Sequence, residues 1–180
     1  MRKLIESSFV SLDGIVGAPE RLSPHWDEEN KKHALAELAD YDAFLLGRVT
    51  YELFAALFPQ RRGDEYFDTV NRMPKYVASK TLRETTWNAT LIDGDVATAV
   101  AKLKEQPGKN IIKYGTSGLD QTLIRHKLVD EFRFSMFPIA VGKGARLFEG
   151  IDTDGFKLSL TGTKVFKNGI VRLSYVPTYV

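Results

Sequence analysis

Residues 42–52 read DAFLLGRVTYE, and this stretch indicates the class of fold. Its first part is a short apolar run, residues 43–46, which stops at Gly47 and is typical of a strand buried in a parallel sheet. The residues that follow predict a helix over residues 49–57. A buried strand that leads directly into a helix is the repeating unit of an α/β protein.

The same strand–helix unit recurs along the first two thirds of the chain. Strands are predicted at residues 4–10, 75–79, 90–92 and 110–114, helices at residues 27–39, 63–71, 96–104 and 119–126, and an irregular loop at residues 15–26. Alternating patterns in the last third predict strands at residues 130–138, 157–166 and 170–176, with the hairpin signal Asn168-Gly169 between the last two. This order predicts an α/β fold of three αβα layers, with a mostly parallel central sheet and an antiparallel C-terminal hairpin, in one domain over residues 1–180.

The composition excludes several classes of protein. Hydrophobic residues make up 43% and charged residues 27% of the chain, as in ordinary globular proteins. Cysteine is absent, which excludes disulfides and thiolate metal ligands, and the histidines lack metal-ligand spacing, so no metal is expected. The net charge of +2 is too balanced for a nucleic-acid surface, and no apolar run reaches the roughly 18 residues of a membrane span. Because Glu6 interrupts the N-terminal segment, no signal peptide is predicted and we expect a cytoplasmic protein.

Three junctions that follow predicted strands carry glycine, hydroxyl or cationic residues. They are Gly47-Arg48-Val49-Thr50, Ser79-Lys80-Thr81 and Gly115-Thr116-Ser117-Gly118. Open α/β sheets bind ligands at the carboxyl ends of their strands, where helix N-termini attract anions. A structural turn is the alternative at any one junction, but three on one rim favour a phosphate-rich ligand. The usual dinucleotide fingerprint is missing, and Gly142-Lys143-Gly144 is better interpreted as a turn than as a phosphate loop.

Longer segments around these junctions resemble a known family. They are Ser11-Leu12-Asp13-Gly14 and residues 42–52, 128–131 and 142–148. Together they resemble the dihydrofolate reductase superfold, and more closely the reductase domain of the riboflavin-biosynthesis deaminase/reductase and its stand-alone relatives. The resemblance covers nearly the whole chain, and the Gly-Arg-x-Thr-Tyr-Glu segment is a fairly specific part of it.

The resemblance implies NADPH as the hydride donor. The residues that it implies for the cofactor phosphates are Gly47, Arg48 and Thr50, and Ser79 and Lys80 would lie near the adenosine 2′-phosphate. The pyrophosphate and nicotinamide side would be lined by Gly115, Thr116, Ser117 and Gly118.

The substrate side of the site carries fewer candidates. Asp13 is the candidate catalytic residue, since a carboxylate beside the nicotinamide would favour hydride departure, and a plain Asp-Gly turn is the alternative. Trp26 and Asp27 are the candidate substrate residues, with Trp26 covering the pocket or packing in the core. Dihydrofolate reductases carry an acidic residue on their first helix, a role open to Asp27 or Glu28 only with a few extra residues in between. An ungapped count back from Gly47 puts Lys31 at that position, which argues against a folate substrate.

The predicted function is NADPH-dependent reduction of a small heterocyclic or sugar-phosphate substrate, with no deaminase domain attached. The alternatives are a dihydrofolate reductase acting on a pterin, an NADPH-binding relative without turnover, and an interaction module that binds no dinucleotide. We also expect a homodimer whose interface uses Phe132, Phe134 and Tyr175 of the antiparallel tail.

Overall fold

Eight strands form one sheet in the computed structural model, which describes residues 1–154 and 156–179. They are β1 (Leu4–Ser11), β2 (Tyr41–Gly47), β3 (Lys75–Ala78), β4 (Ala89–Leu91), β5 (Asn110–Tyr114), β6 (Glu131–Phe137), β7 (Phe156–Val165) and β8 (Val171–Tyr179). Their spatial order is β4-β3-β2-β5-β1-β6-β8-β7. Neighbours from β4 to β6 pair in parallel, whereas β8 pairs antiparallel with both β6 and β7.

Along the chain, the helices lie in the segments that connect the parallel strands. They are α1 (Pro19–Leu22), α2 (Glu28–Leu38), α3 (Arg48–Leu57), α4 (Glu65–Arg72), α5 (Val96–Glu105) and α6 (Gly118–Arg125), with 3-10 turns at Ser23–His25 and Phe58–Gln60. None of these helices combines the length and the apolar character that crossing a bilayer requires.

Side chains of the central strands alternate between two hydrophobic cores. On β2, Phe44 and Leu46 pack in a core with residues of α2, α3 and α4, such as Val70. Leu45, between them, packs in a second core with residues of α5 and α6, such as Leu123. Because both faces of the strand are covered, β2 is apolar at successive positions, and the molecule has three αβα layers.

The predicted fold class is confirmed, and the predicted strands and helices are present with small shifts at their ends. The prediction of an irregular loop over residues 15–26 is wrong in part, because α1 lies within it. Pro19 occupies the first turn of α1, where its fixed φ suits a helix and its missing N–H costs nothing. Leu22 is fully buried and fixes this segment to the protein.

The proposed dimer surface needs a correction. Phe132 and Phe134 are only 0% and 3% exposed, and both pack edge-on against Phe148 of the same chain. Tyr175 on β8 also contacts Phe134. The apolar side chains Phe132 and Phe134 of β6 do lie on one face, as the alternating pattern predicts, but that face is covered by other residues of the same protomer. Phe132 and Phe134 therefore cannot form a dimer interface, and the homodimer stays a prediction without them.

Candidate active site

A cavity of about 1090 Å³ opens beside the carboxyl ends of β1 and β5. Its floor includes Ser7 and Ser8 of β1 together with Gly115 and Thr116 after β5. Its walls come from the segment before α2 and from α2, α3 and α4, which supply both aromatic and charged side chains. A volume of this size accommodates a small organic ligand.

Two of the predicted strand-end junctions meet at this cavity. A Cβ placed on Gly47 would lie 3.2 Å from Ser117 Oγ, and a Cβ placed on Gly115 would lie 3.1 Å from Thr50 Oγ1. The junction after β2 and the junction after β5 are therefore in contact, as adjacent parallel strands require. Gly115 has a φ of +78°, a backbone conformation that favours glycine.

The two helices that start at these junctions differ at their N-termini. Ser117 caps α6 by accepting a hydrogen bond from the Leu119 N–H, and Asp120 completes a capping box. Gly118 is the exposed first residue of that helix. At α3 the N-cap position is Gly47, which has no side chain to satisfy the first-turn N–H groups. These N–H groups and the positive end of the helix dipole can bind an anion.

The third junction lies one strand further along the same edge. Gly47 and Ala78 are partners in the β2–β3 register, so Ser79 follows on the side of the sheet where α3 begins. Ser79 Oγ accepts a hydrogen bond from the Leu82 N–H at 3.0 Å, and Lys80 is exposed. The junction is a local turn that presents a cation to solvent.

Arg48 lies at the start of α3 and outside the cavity lining. Its guanidinium forms an ion pair with Glu52 one turn later, with Nη1 and Oε2 2.9 Å apart, and the side chain is about half exposed. The sheet therefore brings Gly47, Arg48, Thr50 and the residues after β5 to one rim, and only Thr50, Gly115 and Thr116 of these reach the cavity.

Asp13 is held in a loop contact outside the cavity lining. Its carboxylate accepts hydrogen bonds from Ser11 Oγ at 2.6 Å and from the N–H groups of Val141 and Gly142 at 3.0 and 2.7 Å. These donors, the Ser11 hydroxyl foremost, hold the pKa of Asp13 well below its usual range. The contacts join the turn after β1 to the loop after β6 and favour the structural interpretation, so a role in hydride transfer stays a prediction.

Trp26 and Asp27 both line the cavity. The Trp26 ring packs edge-on against Tyr66 with centroids 5.4 Å apart, so it forms part of the wall and also packs against α4. Asp27 is the N-cap of α2, where its Oδ1 accepts a hydrogen bond from the Asn30 N–H at 3.0 Å. Contact of either residue with substrate stays a prediction.

Comparison with known proteins identifies the family. The model of the RibD C-terminal domain matches residues 2–172. The chain belongs to the RibD C-terminal domain family. The YyaP protein of Bacillus subtilis (strain 168), described as uncharacterized, is 34% identical over 179 residues, which cover 97% of this chain and 94% of that protein.

Solved structures with the fold of this RibD C-terminal domain protein include a putative riboflavin biosynthesis protein from Shewanella sp. PV-4. It superposes with a TM-score of 0.73 at 21% identity, covering 98% of this chain and 99% of that one. A dihydrofolate reductase from Enterococcus faecalis, complexed with NADP(H) and RAB-propyl, superposes with a TM-score of 0.62 at 16% identity, covering 98% and 95% of the two chains. These similarities establish a dihydrofolate reductase-like fold.

Within this RibD C-terminal domain, Lys31 lines the cavity and joins two helices at its rim. Its Nζ lies 2.7 Å from Glu28 Oε1 and 2.9 Å from Asp64 Oδ2, at the start of α4. The hydrogen bonds to Glu28 and Asp64 raise the pKa of Lys31. At the position where the ungapped count places the acidic residue of dihydrofolate reductases, this chain has Lys31, whose ammonium is already paired with two carboxylates.

One charged group on the cavity floor was not predicted. Arg172 of β8 donates through Nη1 to Ser7 Oγ and Ser135 Oγ, both at 3.0 Å, and through Nη2 to Glu37 Oε2 at 2.9 Å. Glu37 also accepts from Arg133 Nη1 at 2.7 Å. The sequence gives no local signal for this network, because its members come from β1, α2, β6 and β8.

A second unpredicted group lies between the sheet and α6, near the cavity floor. Glu6, Lys113 and Asp120 are all 0% exposed. Glu6 and Lys113 interrupt the apolar strands β1 and β5 and are partners in the parallel register. A single charge in the middle of each of two buried strands was the signal that sequence reasoning did not use. Within residues 1–154 and 156–179, no group of three acidic or histidine side chains is arranged to hold a metal ion.

Proposed function

We propose that this protein is an NADPH-dependent reductase of a small heterocyclic or sugar-phosphate substrate, similar in reaction to 5-amino-6-(5-phosphoribosylamino)uracil reductase. The observation that carries the proposal is the contact between two glycine junctions, Gly47 against Ser117 and Gly115 against Thr50, beside a cavity of about 1090 Å³. Membership of the RibD C-terminal domain family supports it.

The residues of the rim fit a dinucleotide phosphate. The missing side chain of Gly47 leaves the first-turn N–H groups of α3 without a side-chain cap, and a Cβ on Gly115 would crowd Thr50. Bound there, NADPH would supply a hydride. Arg48, Ser79 and Lys80, further along the rim, would bind its adenosine phosphates. Arg48 would then exchange Glu52 for a phosphate, since guanidinium binds both groups through two N–H donors.

The remaining cavity fits a planar substrate with an anionic group. Trp26 and Tyr66 offer aromatic surface for a ring, and Arg61 and Arg62 lie at the cavity wall where a substrate phosphate would find counter-charge. The hydroxyls of Ser7 and Ser135 and the guanidinium of Arg172 on the floor would hydrogen-bond to ring substituents.

The test begins with fluorescence titration of the protein with NADPH and with NADH. We expect the protein to bind NADPH more tightly than NADH. The Arg48→Ala variant should bind NADPH roughly ten- to a hundredfold more weakly, because it loses a charge-assisted hydrogen bond of about 1.5–3 kcal/mol. Equal affinities for the two cofactors would refute the 2′-phosphate assignment, and no binding of either would refute the proposed function.

A substrate screen separates the candidate reductases. NADPH oxidation is measured with ribosylaminopyrimidines and, in parallel, with dihydropterins. We expect turnover with the pyrimidines, because Lys31, which is paired with Asp64, stands where a dihydrofolate reductase would carry the acid that binds the pterin ring. Dihydropterin turnover blocked by an antifolate would instead assign a dihydrofolate reductase, and NADPH binding without turnover of either class would assign a non-catalytic relative.

A further inference from the structure

A buried carboxyl pair with one ammonium lies next to the cavity floor. The Lys113 Nζ is 2.8 Å from Asp120 Oδ1 and 4.0 Å from Glu6 Oε2, and none of the three side chains reaches solvent. Two carboxylates beside one ammonium would leave an unbalanced negative charge in a dry site, which costs several kcal/mol. One of the two carboxyl groups is therefore expected to hold a proton.

The surroundings of the two carboxyl groups decide which one is protonated. Asp120 Oδ2 accepts hydrogen bonds from the Ser117 N–H at 2.5 Å and from Lys113 Nζ at 3.0 Å, so its charge is well compensated. Glu6 Oε2 and Asp120 Oδ1 both lack a hydrogen-bond partner in the part of the chain that the structure describes, but the Lys113 ammonium is much closer to the aspartate oxygen, at 2.8 Å, than to the glutamate oxygen, at 4.0 Å. Burial, only partly offset by Lys113, raises the pKa of Glu6 well above its usual range. The proton belongs on Glu6.

Among the residues that the structure describes, Lys113 is the cation that acts on Glu6. Tyr179 of β8 adds only a neutral phenol, whose pKa is raised by burial and whose hydroxyl donates to the Val129 carbonyl at 2.9 Å. Asp130, before β6, is already paired with Lys104 at 2.6 Å. Neither Tyr179 nor the Lys104–Asp130 pair adds a free positive charge, so the proton stays on Glu6.

Two hydroxyl groups link Glu6 to the cavity. Thr116 Oγ1 donates to Glu6 Oε1 at 3.2 Å, and Ser8 Oγ lies 2.9 Å from Thr116 Oγ1. Both Ser8 and Thr116 line the cavity. A continuous chain of hydrogen-bonding atoms therefore runs from a buried acid to the place where the proposed substrate would be reduced.

We propose that Glu6 is the proton reservoir of the reduction and acts through the hydroxyls of Thr116 and Ser8; this inference rests on the proposed function. Reduction of a C=O or C=N bond adds a hydride, supplied by the cofactor, to carbon and a proton to the heteroatom. The proton leaves a cavity hydroxyl for the heteroatom, and that hydroxyl recovers one from Glu6 as the O–H groups of Thr116 and Ser8 reorient. Glu6 ends as a carboxylate beside Lys113, and solvent in the emptied cavity returns the proton by the same hydroxyls.

The first test measures the protonation of Glu6 without any ligand. Infrared difference spectroscopy at neutral pH is expected to show the C=O stretch of a protonated carboxyl group in the parent protein and to lose it in Glu6→Gln. Asp95→Asn is the matched control, because Asp95 caps α5 at an exposed site and asparagine can cap equally well. A parent protein without this band, or a band that persists in Glu6→Gln, overturns the inference.

The second test follows the pH dependence of turnover. The parent kcat is expected to fall as the pH rises through the raised pKa of Glu6, because the reservoir is then empty. Glu6→Gln should lose this dependence and about 100-fold or more in kcat, as for loss of a general acid, while its NADPH affinity stays within about twofold. Glu6→Asp should restore part of the activity and of the pH dependence.

A third variant leaves the buried charges in place. Thr116→Val removes the hydroxyl link and keeps Glu6, Lys113 and Asp120. Its kcat should therefore fall as far as that of Glu6→Gln, whereas its infrared band should remain. If Glu6→Gln turns over substrate with the pH profile of the parent protein, Glu6 is not the proton reservoir, and the proposed function still stands. Failure of the parent protein to bind NADPH refutes the proposed function and with it the role of Glu6.

Discussion

Gly115 combines a left-handed backbone with a close approach to the neighbouring helix. Its φ is +78°, and an added Cβ would lie 3.1 Å from Thr50 Oγ1. Gly115→Ala is therefore expected to cost about 1–2 kcal/mol of stability through backbone strain. It should also weaken NADPH binding roughly tenfold or more, because the methyl group crowds the cavity rim at an overpacking cost of about 1–3 kcal/mol. Denaturant unfolding and fluorescence titration measure the two effects.

Gly94 supplies the matched control for this substitution. Its φ is +73°, and an added Cβ would meet nothing within 4 Å. Gly94→Ala should lose a similar amount of stability and bind NADPH like the parent protein. If both alanine variants bind NADPH equally well, Gly115 does not border the cofactor.

Tyr66 makes stability depend on alkaline pH. Burial raises its pKa to about 12, above the value of about 10 in an unfolded chain. Its contribution is therefore complete below pH 10 and is lost as the pH rises towards 12, by up to about 2–3 kcal/mol. The unfolding free energy of the parent protein minus that of Tyr66→Phe should decline over this range. A difference that stays constant with pH would show that burial does not perturb this phenol.

Single residues show which parts of the site the sequence could predict. Gly47, Thr50 and Gly115 were predictable because each follows its own strand, and the parallel sheet brings strand ends together. The charge of Glu6 within a buried strand was a usable signal, but its role was not predictable, because that role depends on Asp120, which lies more than a hundred positions away in the chain. Asp13 had two interpretations, and its three hydrogen-bond donors come partly from a distant loop that no local pattern reveals.

At the scale of elements, α2 depends on a cap that also lines the cavity. Asp27 accepts a hydrogen bond from the Asn30 N–H, and the Asn30 side chain accepts from the Asp27 N–H at 3.1 Å. Asp27→Ala should lower the unfolding free energy by about 1 kcal/mol, whereas Asp27→Asn should leave it nearly unchanged because asparagine is an equally good cap. Chemical denaturation of both variants measures the difference, and equal losses would rule out the capping role.

Most elements were predictable from periodicity alone. β2 and β5 are apolar on both faces because helices cover both sides, and α5 and α6 have the one-sided pattern of surface helices. α1 was missed because four residues are too few to show a helical period. The alternation of β6 was recognised, but not its partner, since the covering Phe148 lies in a segment without regular structure.

For the whole molecule, cofactor binding should appear as increased thermal stability. A ligand that binds only the folded state at about 100 times its Kd adds about 2.7 kcal/mol. In a protein of this size that raises the Tm by about 5–10 °C. Calorimetry should show this rise in Tm with NADPH. NADH at the same concentration should raise the Tm by less. Equal rises would mean that the rim does not distinguish the two cofactors.

The floor of the cavity joins the first strand to the last. Ser7 of β1 accepts a hydrogen bond from Arg172 of β8, so these two strands, far apart in sequence, meet at the floor of the cavity. A nascent chain on the ribosome lacks that floor until the segment around residue 172 has emerged. The cavity therefore cannot take the described form on a chain that has not yet been translated past Arg172.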